Sequence, residues 1–342
     1  MKAQAGTDSD ISVVPWEPEK TLEKMALLQA RLSRGFLRSD PSKWFPGFAM
    51  QWIPLTSAFG VELQIRTVEP VLAAPRGLSG YVGAVDDEPI AVGMEDRDAR
   101  LLTAAFCSGA LAGAQGVLRE YLARRFITSM ALSWSGPESS VVTFDRSMNM
   151  SHMRESAAIR MELLVNDQAC NLWVLMGKFL VERLDALWRK QVRSTARQES
   201  GAARELALEV TQLAVPPSLL AEYMKPRAII DLETIVSDRV LLREGGKPLS
   251  YARLVNIEGR YGISLLDEPV ANPRLPDGTT RLAVELGRIA VDGNQSAEFL
   301  QNGAIWETGL KLGPAANMVI NDEKVGSAEL MIFEGRFALR VT

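Results

Sequence analysis

Residues that could carry chemistry are few in this chain, and their spacing does not bring them together. The 342 residues include one histidine, His152, and two cysteines, Cys107 and Cys170. A histidine metal cluster or a Ser-His-Asp triad would depend on His152 alone, in a polar stretch where a surface histidine is the simpler interpretation. The cysteines lie too far apart for a zinc ligand pair. Each sits in an apolar run, so we predict free thiols in a reducing compartment.

Motifs for phosphate binding and nucleophilic catalysis are also missing from the sequence. Neither a Gly-x-Ser-x-Gly elbow nor a Walker lysine loop occurs. The nearest approach, Gly245-Gly246-Lys247-Pro248, lacks the upstream glycine and the following hydroxyl, and we interpret it as a turn. The acidic residues are numerous but scattered. We therefore predict no cofactor, no metal site and no enzymatic activity.

Composition argues against two further classes of protein. The apolar fraction of 47% and the charged fraction of 23% are those of ordinary soluble proteins. A net charge of −4 argues against a dedicated nucleic-acid binder. Residues 101–118 form an uncharged stretch of 18 residues, which is long enough for a candidate membrane span. They consist mostly of Ala, Gly, Ser, Thr and Gln, whose transfer into lipid gains little. We predict a buried helix there. The polar residues 1–10 show no secretory signal.

The clearest elements that could position functional residues lie in the last part of the chain. Apolar residues alternate with others at both ends of residues 280–342: Leu282, Val284 and Leu286 at one end, and Phe337, Leu339 and Val341 at the other. Residues 304–307 and 317–320 are predicted to be short strands, with a turn at Asn321-Asp322. The sequence thus predicts a small, strand-rich module.

A second copy of this module is predicted just upstream. Leu206–Val215 aligns with Leu282–Val291, and Glu258–Leu265 aligns with Glu334–Val341, both at a shift of 76 residues. The middle fits only with gaps, at a shift of 64, between residues 235–242 and 299–306. Three matches in the same order favour duplication. The alternative is a single-domain sandwich with accidental similarity.

Small strand modules need a partner for physical reasons. A unit of about 65 residues buries little apolar surface, and its edge strands invite pairing. We predict that strands of one copy complete the sheet of the other copy or of a second molecule. The residues predicted to form this pairing surface are Leu282, Val284, Leu286, Ile305, Val319, Phe337, Leu339 and Val341.

The predicted fold class is an α+β N-terminal domain followed by two small all-β modules. Polar linkers divide the chain into a tail with an amphipathic helix (1–39), the α+β domain (40–193), a linker (194–204), the first module (205–268), a linker (269–279) and the second module (280–342).

Several elements are predicted within the first two thirds of the chain. Residues 1–17 are predicted to be disordered, and a helix is predicted from Pro18, with one face formed by Leu22, Met25, Gln29, Leu32 and Phe36. That helix could bind a partner or pack on its own domain. We also predict a long helix from Asp96 or Asp98 to about Phe126, with a break near Gly113 or Gly116, and strands at 127–134 and 140–145. An aromatic cluster could line a ligand pocket or pack in a core: Trp44, Phe45, Phe48 and Trp52.

These residues carry a resemblance to a known family. Residues 280–342 resemble the surface-presentation-of-antigens (SPOA) domain that ends the flagellar switch proteins FliM and FliN. The matching features are Leu282–Leu286 followed by Gly287, Gly303 before Ala304-Ile305-Trp306, the Asn321-Asp322 hairpin leading into Val325–Leu330, and Gly335–Val341. Residues 121–125, 133–138 and 184–194 resemble the type III secretion branch. From about residue 100 onward, the chain is similar to the SctQ (YscQ/HrcQ) family. The upstream SPOA copy is degenerate.

The resemblance implies a cytoplasmic component of the sorting platform of a type III secretion system, the counterpart of the flagellar C-ring, peripheral to the inner membrane. It implies pairing with itself through SPOA modules. The other implied partners are a stator protein linked to the export ATPase, an accessory sorting-platform protein, the cytoplasmic domain of the membrane ring, and chaperone–effector complexes, with no nucleic acid.

Three alternatives remain beside this interpretation. A flagellar switch protein would share the C-terminus, but neither the N-terminal helix that binds the response regulator nor the Gly-Gly motif of the rotor-binding domain is visible. A CheC-like phosphatase would need a Glu-x-x-Asn pair, and no glutamate here has asparagine three residues on. The third is an oligomerising protein unrelated to secretion.

Overall fold

The structure is a computed structural model that describes residues 13–35, 46–109, 112–134, 140–145, 149–153, 156–195, 203–271, 275–292, 296–300 and 303–342. The chain divides into two compact units. The tail unit comprises residues 1–25 together with 196–342, and the middle unit comprises residues 26–195.

Strands are the commonest secondary structure among the described residues and are numbered here in chain order. They are β1 (Val14–Pro15), β2 (Lys24–Met25), β3 (Leu63–Val71), β4 (Ser79–Val85), β5 (Glu88–Met94), β6 (Val142–Thr143), β7 (Ala157–Val165), β8 (Gln168–Met176), β9 (Arg204–Val215), β10 (Ile229–Ile235), β11 (Arg239–Glu244), β12 (Lys247–Ile257), β13 (Arg260–Leu265), β14 (Thr280–Val291), β15 (Ile305–Lys311), β16 (Ala315–Ile320), β17 (Glu323–Phe333) and β18 (Arg336–Val341).

The helices flank these strands. They are α1 (Pro18–Thr21), α2 (Leu27–Gly35), α3 (Pro46–Phe59), α4 (Asp96–Phe106), α5 (Ala112–Trp134), α6 (Lys178–Thr195), α7 (Pro217–Tyr223) and α8 (Ser296–Phe299), with a 3-10 turn at Met150–Met153.

The predicted fold class is wrong. The protein is mostly β, and the described residues form two large antiparallel sheets where an α+β domain and two small all-β modules were expected. The tail unit contains one continuous twelve-stranded sheet with the strand order β10-β18-β17-β16-β14-β9-β11-β12-β13-β15, with β1 added to β17 and β2 added to β12. The two modules have merged because a short-stranded module alone would leave its edges unpaired.

The duplication relates strands β9–β13 to strands β14–β18 at one constant shift. Each strand has a counterpart whose first and last residues lie 76 positions later: β9 with β14, β10 with β15, β11 with β16, β12 with β17, and β13 with β18. The predicted shift of 64 in the middle is therefore wrong. Ile235 ends strand β10, whereas Phe299 ends helix α8.

The middle unit is built around a six-stranded sheet with the order β3-β7-β8-β5-β4-β6. Two tight hairpins join its strands, at Asp86-Asp87 and at Asn166-Asp167, and all four turn residues have positive φ angles between 47° and 69°. This is the backbone of a type I′ turn, which Asp and Asn tolerate. The core lies between the sheet and its helices, with α5 and α6 contributing apolar faces.

Helix α5 replaces the strand that was predicted at 127–134. Its buried residues recur three and four positions apart, as Leu122, Phe126, Ile127, Met130 and Ala131. That spacing is helical, so burial of one helix face decided the conformation over local strand signals. The long helix predicted from Asp96 ends at Phe106, before Gly109 at φ 78°. The next helix, α5, begins at Ala112, which agrees with the predicted break near Gly113, whereas Gly116 lies inside α5.

The helix predicted from Pro18 is interrupted. Helix α1 stops after one turn at Leu22, whose φ of −84° and ψ of 145° are extended. Leu22 and Met25 belong to the tail unit, and Gln29 and Leu32 to the middle unit, so these residues do not form one helical face. Phe36 lies outside the described residues. The predicted disorder of residues 1–17 is wrong for the described residues, since Val14 and Pro15 form β1.

Candidate assembly site

The two copies meet along the long central strands β9 and β14. These strands pair antiparallel from Thr280 opposite Val215 to Val291 opposite Arg204, with register shifts on either side of Glu285. Leu282 and Val284 face the core and are fully buried. Side chains alternate between the two faces of a strand, so one row of apolar residues from each of these twelve-residue strands lies in the shared core. We call this strand pair the seam between the two copies.

Each copy gives one strand to the other copy. Strand β10 belongs to the first copy but pairs with β18 of the second, with Ile230 opposite Leu339. Its counterpart β15 pairs with β13 of the first copy, with Ile305 opposite Ser264. The exchange is reciprocal, so neither copy has a complete sheet without the other. The sequence prediction that one copy completes the sheet of the other agrees with this pairing.

A repeat-related contact shows how the two copies adapted to this exchange. In the first copy the hydroxyls of Thr211 and Thr234 lie 2.6 Å apart. The positions 76 residues later hold Gly287 and Leu310, and a Cβ on Gly287 would lie 2.9 Å from a Leu310 methyl carbon. A larger apolar side chain on β15 is thus accommodated by a glycine on β14.

A buried group of charges lies across the seam. The Glu209 carboxylate contacts Arg281 and lies 2.9 Å from Nε of Arg243, and Arg288 Nε lies 3.0 Å from the Glu285 carboxylate. Burial raises the pKa of Glu209, while the charges of Arg281 and Arg243 lower it. The arginines keep two buried carboxylates compatible with an apolar sheet core.

The N-terminal segment Val14–Met25 crosses the two copies. Strand β1 pairs antiparallel with β17 of the second copy, and β2 pairs parallel with β12 of the first. Between them, Trp16 is 1% exposed and packs between Tyr261 and Phe337, with ring centroids 6.4 Å and 5.3 Å away. Tyr261 and Phe337 are equivalent residues of the repeat, so the indole lies where the two copies meet.

The eight residues predicted for SPOA pairing are all buried within the chain's own sheet. Six lie where one copy contacts the other: Leu282 and Val284 opposite Leu213 and Thr211, Ile305 opposite Ser264, Phe337 and Leu339 opposite Thr234 and Ile230, and Val341 hydrogen-bonded to Arg227 and Ala228. Leu286 lies beside a register shift of β14, and Val319 on β16 pairs with Ala283 and Lys324 of its own copy. Pairing of these residues with a second chain stays a prediction.

The residues examined for chemistry do not converge in the part of the chain that the structure describes. Cys170 is buried, which raises the pKa of its thiol to about 12, and Cys107 is exposed in the same unit. The His152 side chain lies outside the described side chains. Gly245 and Gly246 form the hairpin turn between β11 and β12, at φ 51° and 74°. Among the described residues, no group of three or more His, Cys, Asp or Glu is arranged to hold a metal ion.

The predicted aromatic cluster is only partly described. Trp52 is buried against Phe126, with ring centroids 6.4 Å apart, and lines an apolar cavity of about 70 Å³ in the middle unit. Trp44 and Phe45 lie outside the described residues, as does the side chain of Phe48. None of the described helices combines the length and apolar character needed to cross a membrane.

Sequence reasoning missed Trp16 and the buried charges. Glu209 and Glu285 occupy matching positions in the aligned stretches, and so do Tyr261 and Phe337. The alignment therefore held a signal for both groups. Trp16 lies outside the repeat, and its pairing depends on strands more than 200 residues away in sequence.

Comparisons with known proteins give only distant similarity to solved structures. No family model matches the chain, and no curated protein matches it. Similar solved structures include the FliM middle domain from H. pylori, at 14% identity and a TM-score of 0.36, covering 48% of this chain and 99% of that one. The FliM middle domain from V. alginolyticus has 16% identity and a TM-score of 0.34, covering 43% of this chain and 98% of that one. The FliM–SpeE complex from H. pylori has 13% identity and a TM-score of 0.35, covering 44% of this chain and 92% of that one. TM-scores this low do not establish a function.

Proposed function

We propose that this chain is a structural component of the cytoplasmic sorting platform, or C-ring, of a type III secretion system, where it holds the stator and its ATPase next to export substrates and catalyses no reaction. The observation that carries the proposal is the reciprocal exchange of β10 and β15 between two tandem copies. Such an exchange gives a pair of modules that is stable as a unit and keeps strand edges at both ends of its sheet.

The sequence features of the tail unit support a scaffold of this kind. The residues that carry the SPOA resemblance lie on β14, on the exchanged strand β15, on β17 and β18, and in the Asn321-Asp322 turn between β16 and β17. The left-handed φ angles of these two residues, 51° and 66°, are those of a tight hairpin.

An exposed apolar edge offers a place for a partner. Strand β10 ends the sheet order, and its residues Ile229 and Ile235 are 57% and 74% exposed. Main-chain groups at a sheet edge beside exposed isoleucines are suited to pairing with an extended segment of another protein. We propose this edge as the stator contact.

A secretion assay tests the proposal. Deletion of the gene in its own organism is expected to abolish type III secretion and leave swimming motility intact, and the full-length chain should restore secretion. The full-length chain should also co-purify with the stator protein. The Ile235→Glu variant should lose the stator while staying folded, since this side chain is mostly exposed. A matched control is Val325→Glu on β17, a position 45% exposed and separated from β10 by strand β18.

Two results would refute the proposal: normal secretion in the deletion strain, or turnover of a substrate by the purified chain. Loss of motility with normal secretion would identify a flagellar switch protein instead.

A further inference from the structure

The cavity in the middle unit is long and narrow. It lies on the helix-facing side of the six-stranded sheet, and consecutive strands in the order β3-β7-β8-β5-β4 each line it with at least one side chain: Leu63, Leu163, Leu172, Val92 and Tyr81. Neighbouring strands lie about 4.8 Å apart, so four steps across the sheet cover about 19 Å. A volume of about 70 Å³ spread over that distance is a thin space.

Helix α5 covers this cavity from the side opposite the sheet. Leu122, Ala123 and Phe126 lie on the face of α5 that lines the cavity, and Trp52 of α3 packs against Phe126. Among the described residues that line the cavity, none is an aspartate or a glutamate. A molecule inside it would therefore contact mostly apolar groups, which favours an apolar chain of matching shape.

One end of the cavity is polar and positively charged. Arg119 of α5 lines this end together with Ser79 and Tyr81 of β4, and Ser79 is exposed, so this end reaches the surface. The Ser79 hydroxyl donates to the Asp96 carboxylate at 2.6 Å, and the Tyr81 hydroxyl donates to the Gly116 carbonyl at 3.1 Å. Both hydroxyl hydrogens are therefore already used within the chain.

Arg119 is the donor that remains for a ligand. Its Nε–H donates to the Gln115 carbonyl at 3.4 Å, and within the described ranges of the chain no carboxylate pairs with it. The neighbouring Glu120 pairs with Arg124 instead, at 2.5 Å. A guanidinium has five N–H donors in a planar fork that matches a carboxylate. A guanidinium at one end of an apolar cavity therefore fits a molecule that carries a carboxylate at one end of an apolar chain.

We propose that the middle unit binds a straight-chain monocarboxylate, with the carboxylate at Arg119 and the alkyl chain along the cavity between α5 and the sheet. An apolar cavity of about 150 Å³ admits benzene, so a cavity of about 70 Å³ favours an unbranched chain over a ring. Met94 lines the cavity, and its flexible side chain can adjust to chains of different length. This proposal is independent of the scaffold role, since every lining residue belongs to the middle unit.

Calorimetric titration of the full-length chain with hexanoate and octanoate tests the proposal. Both acids should bind, and hexanol and hexylamine, which lack the negative charge, should bind at least about tenfold more weakly than hexanoate. Arg119→Gln should weaken hexanoate binding to about the same extent. Arg100→Gln is the matched control, because the Arg100 Nε–H also donates to the carbonyl four residues earlier but its side chain does not line the cavity.

The control variant should bind hexanoate as the wild type does. The proposal is overturned if neither acid binds, if hexylamine binds as tightly as hexanoate, or if folded Arg119→Gln binds hexanoate as tightly as Arg100→Gln does.

Methyl NMR locates the ligand without depending on the fold of Arg119→Gln. In the wild-type chain labelled at its methionine methyl groups, octanoate should shift the Met94 resonance, which Met94→Leu identifies. The resonance of Met318, which is buried in the tail unit, should stay unchanged. An unchanged Met94 resonance at saturating octanoate, or equal shifts at Met94 and Met318, would overturn the proposal.

Discussion

Glu209 and Glu285 are register partners across the central strands β9 and β14, and both side chains are buried. They are also equivalent residues of the repeat, 76 positions apart. Two like charges opposite each other in a sheet are unfavourable without counterions. The arginines beside them therefore hold the seam between the copies together.

Substitution of Arg243 measures how much the stability of the seam depends on these arginines. Arg243 is 5% exposed, contacts Glu209 and donates to the Gly246 carbonyl at 2.7 Å. The equivalent residue of the second copy is Val319. Valine should therefore fit the sheet at position 243. Arg243→Val removes one of the two arginines described beside Glu209 and leaves Arg281, so the free energy of unfolding at pH 7 should fall by about 3–5 kcal/mol. Urea denaturation followed by circular dichroism measures the loss.

The deficit of Arg243→Val should depend on pH in one direction. Burial raises the pKa of Glu209, and removing Arg243, which lowers it, raises it further. A folded-state pKa above the unfolded value gives stability that is present at low pH and lost as pH rises through the folded pKa. The variant should therefore approach wild type on acidification towards pH 4.5, the usual value for Glu. The exposed pair Arg340–Glu329 provides the control, since Arg340→Ala should change stability by about 1 kcal/mol or less. A deficit that grows on acidification would contradict this account.

Asp86 gives the opposite pH dependence in the middle unit. Its carboxylate accepts the Val141 N–H at 2.7 Å and contacts Arg183. The hydrogen bond from Val141 is the main cause of a lowered pKa for Asp86, burial opposes it, and Arg183 adds to it. The stabilisation is therefore present above the usual value of 3.8 and is lost as pH falls through the lowered pKa. Asp86→Asn should remove this loss.

Hydrogen exchange of the β4–β5 hairpin, measured from pH 6 down to pH 2.5, tests this prediction. Asparagine tolerates the φ of 51° at position 86, so the turn itself is retained. Asp87→Asn, which alters the neighbouring turn residue, should keep the acid-induced loss of the wild type. The same acid-induced loss in Asp86→Asn and wild type would show that another group controls this hairpin.

The duplication could be predicted from sequence, but its full extent could not. Strands β9 and β14 keep both their alternation and a matching glutamate, so the alignment found them. Strands β10 and β15 share little, because Ile230 aligns with the apolar Trp306 but Leu232 aligns with the polar Thr308. Their equivalence is visible only in the structure, where each pairs with a strand of the other copy. The gapped alignment instead matched the end of β10 with helix α8.

Other parts of the fold depend on distant contacts that local patterns do not report. The run from Ile127 to Trp134 contains strand-forming residues, yet it continues a helix because Phe126 and Met130 are buried on the same face as Leu122. The segment around Trp16 is rich in proline and acidic residues, which is a local signature of disorder. It is ordered because it pairs with the edges of β17 and β12 and because Trp16 packs between Tyr261 and Phe337.

The contact between Gly287 and Leu310 predicts a specific double-mutant result. Gly287→Thr should be destabilising by about 1–3 kcal/mol, because the new Cβ would lie 2.9 Å from a Leu310 methyl carbon and the residue has a φ of 155°. Adding Leu310→Thr restores the Thr–Thr pair that Thr211 and Thr234 form in the first copy. The double variant should recover part of the loss. Leu310→Thr alone, which leaves a small cavity, is the control, and an additive double variant would show that the two sites do not communicate.

Cleavage between the two copies tests whether the exchanged strands hold them together. Replacing residues 272–274 with a protease site allows the full-length chain to be cut between Ala271 and Leu275 after folding. The fragments should co-elute from a gel-filtration column at micromolar concentration, because four strand pairs still join them: β1 with β17, β9 with β14, β10 with β18, and β13 with β15. Denaturant should be needed to separate them. Ile305→Asp places a charge at a position 4% exposed on β15, so it should lower the denaturant concentration at which the fragments part. Fragments that separate in buffer alone would mean that each copy is a closed module, and the scaffold proposal would lose the observation that carries it.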